Sequence, residues 1–275
     1  MTERPHILPP PPGGGALRRA EEQGAAFFDL DRTLIAGSSA FQFGRAAYRA
    51  GLVSRRRLAG DAWENVLFRL RGSTDKGTDA LRERIGQMLE GVRVRELQRL
   101  APDALAGVLP RLYPQMLALA YDHQDAGRPI FICTAASQET AAMLAHVLGF
   151  DGAAGSHLEQ VDGVYTGRFD GPFCYREGKQ ARMRELAETH DLDLAASHAY
   201  SDSSSDLPML RAVGHPVAVN PDRELARAAA QEGWEVLRFE TLGRRLKVAA
   251  AFVAVAALGG AGHAAQRSGR RPAVR

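Results

Sequence analysis

The chain has 275 residues, of which 45% are hydrophobic and 24% are charged, so it is long enough to bury a full core and has an ordinary globular composition. Its formal net charge is only +3, and its arginines are scattered instead of gathered in one basic block, which argues against a nucleic-acid partner. Two cysteines cannot build a disulfide framework, so we expect one large domain, or a domain with an insert, in a reducing, cytoplasmic setting.

The N-terminal segment, residues 1–23, is predicted to be a disordered arm. Four prolines followed by three glycines occupy residues 9–15, where a signal peptide would need an apolar stretch. We therefore expect no signal peptide at this end.

The first strand is predicted where the ordered sequence begins. Residues 25–28 form a short apolar run, Ala-Ala-Phe-Phe, that stops at Asp29, as a buried parallel strand would. Beyond it, apolar residues recur at helical spacing and are interrupted by glycines. We therefore predict an all-helical insert over residues 38–111. Its predicted helices span residues 40–50, 58–70, 80–89 and 94–100.

The rest of the chain alternates between apolar strands and helical patterns, which favours an α/β fold with a doubly wound parallel sheet. We assign its core to residues 24–37 and 112–240. The predicted strands span residues 129–133, 198–200, 216–219 and 234–239, and a hairpin is expected over residues 155–172. The predicted helices span residues 116–125, 177–190 and 223–231, with one more after Thr134 through residue 148 and another from about residue 205.

Polar side chains gather at the points where the predicted strands end. Asp29 and Asp31 follow the first strand, Thr134 follows the second, and Asp202 and Asp206 follow a later one. Ligands of doubly wound sheets bind beyond the carboxyl ends of the strands. The sequence therefore predicts a site at this edge of the sheet.

The residue types at this edge suit phosphoryl chemistry. Asp29 could attack phosphorus as a nucleophile, and Asp31 could serve as general acid and base. Two aspartates at a strand end also occur as helix caps or turn residues, so the pair alone does not decide between these interpretations.

The later cluster, Asp202-Ser-Ser-Ser-Asp206, offers oxygen ligands of the kind that Mg²⁺ prefers. A serine-rich helix cap without any ligand is the alternative. Thr134 could donate its hydroxyl to a phosphoryl oxygen, and Lys179 could supply a positive charge there, although a single lysine on a helix is more often solvated.

The order of these residues resembles the haloacid dehalogenase-like superfamily, and within it the phosphoserine phosphatase-like subclass with a helical cap after the first strand. The resemblance covers about residues 25–239. Its four motifs are Asp29-Leu-Asp31-Arg-Thr33, Thr134, Lys179, and the segment from Asp202 to Asp206. It implies a Mg²⁺-dependent phosphomonoester hydrolase that forms an aspartyl-phosphate.

The resemblance also implies a role for each residue of the first motif. Asp29 would be the nucleophile and a Mg²⁺ ligand. Asp31 would be the acid and base, with its main-chain carbonyl as a further ligand, and Thr33 would be a supporting polar group. An acid at Asp31 is implied to favour phosphatases over dehalogenating and ion-pumping relatives.

The remaining motifs are implied to hold the metal and the phosphoryl group. Asp202 would bind Mg²⁺ through its side chain, and Thr134 and Lys179 would hold the phosphoryl oxygens. Asp206 would orient Lys179 or a metal-bound water.

The substrate is expected to be a small phosphorylated metabolite. Phosphoserine phosphatases typically place a glutamate where this chain has Ser38, and two glycines where it has Ala135 and Ala136, so these residues depart from that pattern. Three alternatives stay open: a phosphoserine phosphatase of serine biosynthesis, a membrane-associated lipid-phosphate phosphatase, and a binding module without turnover.

The C-terminal tail, residues 241–275, bears on the membrane alternative. Residues 248–266 carry no formal charge and are flanked by arginines. The segment is rich in alanine and glycine and scarcely reaches the ~20 apolar residues that a span requires. Membrane contact through this segment is therefore an open alternative that the sequence does not favour.

Overall fold

The computed structural model of the chain describes residues 23–51 and 75–239. The helix predicted over residues 58–70, the tail segment 248–266 and nearly all of the predicted N-terminal arm lie outside these ranges. Among the described residues, no helix combines the length and the apolar character needed to cross a membrane.

The centre of the fold is a parallel sheet. The strands of the described ranges are β1 (Ala26–Asp29), β2 (Ile130–Ser137), β3 (Gly152–Ser156), β4 (Leu158–Val161), β5 (Val164–Phe169), β6 (His198–Ser201), β7 (His215–Val219) and β8 (Glu235–Leu237). Six of them form the sheet in the order β3-β2-β1-β6-β7-β8, in which every neighbouring pair is parallel. A separate antiparallel hairpin is made by β4 and β5. The predicted doubly wound parallel sheet is confirmed.

Helices lie on both faces of the sheet because the apolar side chains of the central strand alternate between them. The helices of the described ranges are α1 (Ser39–Arg49), α2 (Asp75–Leu89), α3 (Val94–Arg99), α4 (Ala101–Val108), α5 (Pro114–Asp125), α6 (Gln138–Leu148), α7 (Glu177–Thr189), α8 (Leu207–Leu210) and α9 (Arg223–Glu232). Ala26 and Phe28 pack in one core with residues of α5 and α6, whereas Phe27 packs in the other core with residues of α7, α8 and α9.

Several predicted elements differ from the observed ones. Residues 152–156 belong to the parallel sheet as its edge strand β3, so the hairpin that was predicted from residue 155 starts only at Leu158. The helix expected from about residue 205 is a 3₁₀ turn, Ser204–Asp206, followed by the single turn of α8. Helix α4 was not predicted as a separate helix.

The second strand is also longer than predicted. It was expected to end before Thr134, but β2 continues to Ser137, with an irregular register against β3 after Cys133. Thr134 therefore lies within β2 and not at its tip.

Helices α1 to α4 lie between β1 and α5 in the chain and are called here the helical insert. The β4–β5 hairpin contacts this insert through backbone hydrogen bonds. The amide of Gly91 donates to the carbonyl of Tyr165 (2.9 Å), the amide of Tyr165 donates to the carbonyl of Val92 (3.0 Å), and the amide of Val94 donates to the carbonyl of Gly163 (3.0 Å). The segment between α2 and α3 thus pairs with the hairpin, with Arg93 and Val164 forming an isolated antiparallel bridge.

Two further contacts hold α2 against β5. Gly86 approaches Gly167 so closely that a Cβ added to Gly86 would lie 2.2 Å from the Gly167 carbonyl oxygen, which only glycine allows. The Arg82 guanidinium carbon lies 5.4 Å from the centre of the Phe169 ring, within the range of a cation–π contact.

A histidine cluster lies at the opposite edge of the sheet, where the strands begin. The buried His123 of α5 accepts a hydrogen bond at Nδ1 from Nε of Arg128 (2.8 Å), so its proton is on Nε2, which lies 2.6 Å from the Tyr200 hydroxyl. The ring of His198 packs between those of His123 and His215, at 4.6 and 4.5 Å. Burial and the neighbouring Arg128 lower the pKa of His123 to about 4, and burial with His123 and His215 lowers the pKa of His198 to about 4.

These pKa values predict a loss of stability in mild acid. In the unfolded chain a histidine takes up a proton near pH 6.5, whereas His123 and His198 stay neutral in the fold until about pH 4, so the free energy of unfolding falls as the pH is lowered between these values. We expect a loss of about 1–3 kcal/mol, measured by urea unfolding across this interval.

The variants His123→Gln and His146→Gln provide the comparison. His146 lies on the exposed face of α6. The His123 variant is expected to show a shallower pH dependence, and the His146 variant the wild-type one. An identical pH dependence of the free energy of unfolding in the wild type and both variants would contradict the lowered pKa assigned to His123.

Candidate active site

The carboxyl ends of three neighbouring strands bring the predicted site residues together. Asp29 ends β1 opposite Cys133 of β2, so Thr134 is the next residue on that strand. On the other side β1 pairs with β6, whose last residue, Ser201, is followed by Asp202. Because these strands are parallel, their chain continuations enter the same region of space.

A buried lysine joins two elements of this region. Lys179 lies in the first turn of α7, and its Nζ is 2.7 Å from Oδ1 of Asp29 and 2.7 Å from Oδ2 of Asp206. Its side chain is only 3% exposed, so the amine depends on these carboxylates for its solvation. Burial alone would lower the pKa of Lys179, but Asp206 and Asp29 outweigh that effect and hold it well above its usual value.

The carboxylates outnumber this ammonium group. Burial raises the pKa of Asp29 above its ordinary range, against the attraction of Lys179 and with a further upward contribution from Asp206. Burial and the neighbouring Asp29 also raise the pKa of Asp202 well above its ordinary range. Keeping these carboxyls in the charged form is therefore costly without a further cation, and an added cation would favour that form.

Asp31 makes different contacts from Asp29, the predicted nucleophile. Its Oδ2 accepts a hydrogen bond from the Ser38 hydroxyl (3.1 Å), and its Oδ1 accepts one from the Ser39 amide (2.8 Å). Ser38 does not cap α1 with its own side chain, so the carboxylate of Asp31 caps the first turn of the helical insert from outside.

The loop after β6 is held by residues that sequence reasoning missed. The Ser201 hydroxyl donates to Oδ2 of Asp206 (2.7 Å), the same oxygen that Lys179 contacts. Asp222 accepts hydrogen bonds from the amides of Ser204, Glu224 and Leu225, and its own amide donates to the carbonyl of Asp202. Asp222 is visible in the sequence as an N-cap of α9, but its link to the loop needs the fold.

Arg32 is the third residue that sequence reasoning missed. Its Nη1 lies 3.2 Å from Oδ2 of Asp202. Thr33, the predicted supporting residue, is fully buried, and its hydroxyl has no hydrogen-bond partner among the described residues. Thr134 is 4% exposed, and its hydroxyl oxygen accepts a hydrogen bond from the Ala136 amide (3.3 Å).

The site fits a hard divalent cation with few protein ligands. Within residues 23–51 and 75–239 no three His, Cys, Asp or Glu side chains form a ready-made metal-binding group. Two buried carboxylate oxygens, Asp202 Oδ2 and Asp206 Oδ1, nevertheless lack hydrogen-bond partners there. Mg²⁺ is commonly bound by one or two carboxylates, and waters and substrate oxygens complete its coordination.

Comparison with known proteins adds independent findings. The family model of the haloacid dehalogenase-like hydrolases matches residues 26–211. A phosphoserine phosphatase of Mycobacterium tuberculosis is 36% identical over 240 residues, which cover 86% of this chain and 78% of that protein. A histidinol-phosphatase of Neisseria meningitidis is 32% identical over 220 residues, which cover 78% of this chain and 98% of that protein.

A solved structure is also similar. The protein of unknown function from Bordetella pertussis has a TM-score of 0.67 and 28% sequence identity, and the match covers 78% of this chain and 98% of that one. The similarity therefore covers nearly the whole length of both the histidinol-phosphatase and the Bordetella protein.

The buried lysine generates a prediction about stability. In Lys179→Met, Asp29 and Asp206 stay buried without their shared cation, so we expect a loss of about 3–5 kcal/mol near pH 8 in chelator. Without Lys179 the pKa of Asp29 would rise further above its ordinary range, so protonation of Asp29 at lower pH should relieve part of the loss. Urea unfolding near pH 8 and near pH 6 measures both effects.

The matched control removes a cation from the exposed face of the same helix. Arg184→Met should change the free energy of unfolding by at most about 0.5 kcal/mol at both pH values. A Lys179 variant that is as stable as this control would contradict the assigned ion pairs.

Proposed function

We propose a mechanism on the premise that this chain belongs to the haloacid dehalogenase-like hydrolases, whose family model matches most of it. It is a hydrolase of the phosphatase class, like its relatives. The proposed reaction is hydrolysis of a small phosphomonoester through an aspartyl-phosphate on Asp29. The observation that carries this proposal is the contact of Lys179 with Asp29 and Asp206 at the carboxyl edge of the sheet.

Phosphatases of this family generally use a divalent metal ion. We assign Mg²⁺ here, held by the side chains of Asp29 and Asp202 and the main-chain carbonyl of Asp31. When bound, the ion offsets the repulsion between the anionic nucleophile and the anionic phosphoryl group. The two buried, unpartnered oxygens of Asp202 and Asp206 and the excess of carboxylates support a cation at this place.

In the first proposed step, a carboxylate oxygen of Asp29 attacks phosphorus, and the bond from phosphorus to the ester oxygen breaks. Lys179 keeps Asp29 in place and holds a phosphoryl oxygen, because its ammonium group is buried and positioned by Asp206. The hydroxyl of Thr134 donates to a second phosphoryl oxygen. Asp31 gives its proton to the leaving oxygen, and the alcohol departs.

In the second proposed step, water attacks the phosphorus of the aspartyl-phosphate. Asp31, now ionised, takes a proton from this water, and the carboxylate of Asp29 is released together with inorganic phosphate. Asp31 is bound to Ser38 and Ser39 in the structure, so it must leave these hydrogen bonds before it can reach the reacting oxygen.

The substrate is assigned by class, and the helical insert is proposed to act as the cap that contacts the leaving group, with its bounds at residues 38–111. Ser38 stands where phosphoserine phosphatases typically carry a glutamate, and its hydroxyl is engaged by Asp31. The related proteins act on different phosphomonoesters by their names, which favours the broader class. Phosphoserine is the second candidate, supported by the 36% identical mycobacterial relative.

The nucleophile assignment predicts that Asp29→Asn abolishes release of inorganic phosphate, because the amide cannot form the acyl phosphate. We expect a loss of at least about 10³-fold in kcat, while urea unfolding shows a folded protein. Asp122→Asn, at an exposed position of α5, is the matched control and should keep wild-type turnover. Substantial turnover by the Asp29 variant would contradict the proposed mechanism.

The substrate class predicts a ranking on a panel of phosphomonoesters that includes phosphoserine and histidinol phosphate. Release of inorganic phosphate should require Mg²⁺ and stop in chelator. Similar rates of phosphate release from several small esters would support the broad class. A much higher rate on phosphoserine than on the other esters would favour the second candidate. No turnover on any ester would contradict the proposed function for small substrates and favour the lipid-phosphate alternative or the binding module.

A further inference from the structure

Arg32 occupies an unusual position in the loop after β1. Its backbone has φ 67°, in the left-handed region that side-chain-bearing residues rarely adopt. Its side chain is 38% exposed, whereas that of Asp202, which it contacts, is 5% exposed. The side chain of Arg32 therefore lies partly in solvent and partly against the site.

The charges of the site explain what Arg32 contacts. Lys179 is shared by Asp29 and Asp206, which leaves Asp202 without that ammonium group as a direct partner. The cation that the structure places against Asp202 is Arg32, with Nη1 3.2 Å from Oδ2. The Asp202 side chain is only 5% exposed, so solvent contributes little to balancing its charge.

The contact has the distance of an ion pair but not the alignment of a hydrogen bond. Asp202 Oδ2 is a buried oxygen without a hydrogen-bond partner, although Arg32 lies within 3.2 Å. A buried or interface pair formed for stability would be aligned and often bidentate. Arg32 thus faces Asp202 Oδ2 as a charge and not as a hydrogen-bond donor.

We propose that Arg32 is a resident counter-ion of the metal site, which pairs with Asp202 and competes with the divalent cation for Asp202 Oδ2. This inference rests on the proposed function, because that function assigns Asp202 to the metal. A bound divalent cation and the guanidinium have the same sign, so they repel each other at this oxygen. Binding of the metal therefore requires Arg32 to move away, and its partial exposure gives it solvent to move into.

Two consequences follow for the wild-type protein. Arg32 weakens metal binding, because part of the binding free energy is used to displace it. Arg32 also limits the destabilisation that the excess of carboxylates causes when no metal is bound. Arg32 acts through Asp202, so it is a positioning residue of the metal site.

The test is direct titration of the full-length protein with MgCl₂ by calorimetry, without substrate. We expect Arg32→Gln to bind Mg²⁺ roughly 3- to 10-fold more tightly than wild type, since both the competition and the repulsion are removed. Arg32→Lys keeps the charge and should stay within about twofold of wild type. Arg211→Gln, which removes an exposed arginine paired with Glu232 far from the site, should bind as wild type does.

Thermal unfolding provides a second readout that does not depend on calorimetry. In chelator, Arg32→Gln should melt about 2–4 °C below wild type, because Asp202 then lacks its cation. In saturating Mg²⁺ this difference should vanish or reverse. A variant that melts lower by the same amount in both conditions would indicate a purely structural role and overturn the inference.

The titration separates this inference from the proposed function. If wild type binds no Mg²⁺, both the metal assignment and the counter-ion role fail. If wild type binds Mg²⁺ but Arg32→Gln binds it equally or more weakly, only the counter-ion role is overturned. Tighter binding by Arg32→Gln together with a wild-type affinity of Arg32→Lys supports it.

Discussion

The ion pairs of Lys179 are the interaction on which the site depends. One amine, almost completely buried, connects a strand residue, Asp29, with Asp206, the last residue of the 3₁₀ turn before α8, and so fixes the distance between the end of β1 and the start of α8. The cost of burying this charge is offset only when both carboxylates are present. Lys179, at the N-terminal turn of α7, therefore holds the two halves of the sheet edge in one geometry.

Around this pair, further polar residues act on the loops. Ser201 contacts the oxygen of Asp206 that faces Lys179, and Asp222 fixes the backbone of the Asp202 loop from the next helix. Asp31 accepts a hydrogen bond from the Ser39 amide and so stabilises the first turn of the helical insert. The site thus contains residues held by contacts around the sheet edge, and one residue, Asp31, that is hydrogen-bonded to the insert.

The sequence predicted which polar residues follow the central strands better than it predicted the contacts between them. Asp29 and Asp202 could be found because each follows a predicted strand at the same edge of the sheet, whereas Lys179 was given a role only through the resemblance to the family motifs. The partners Arg32 and Ser201 could not be found, since nothing in their local sequence distinguishes them from ordinary loop residues. Strand β3 was missed because its sequence, Gly-Ala-Ala-Gly-Ser, lacks the β-branched residues that mark a strand, and its place in the sheet is decided by packing.

The pairing of the hairpin with the helical insert has a mechanical consequence. The two chain connections of the insert run side by side, joined by hydrogen bonds from Ala36 to Arg111 and from Tyr113 to Leu34, and together they form one pivot. The hairpin attaches the insert at a second point, through three backbone hydrogen bonds. Because the insert is attached both at its chain connections and at the hairpin, it cannot rotate independently. Any rotation of the insert has to move the β4–β5 hairpin with it.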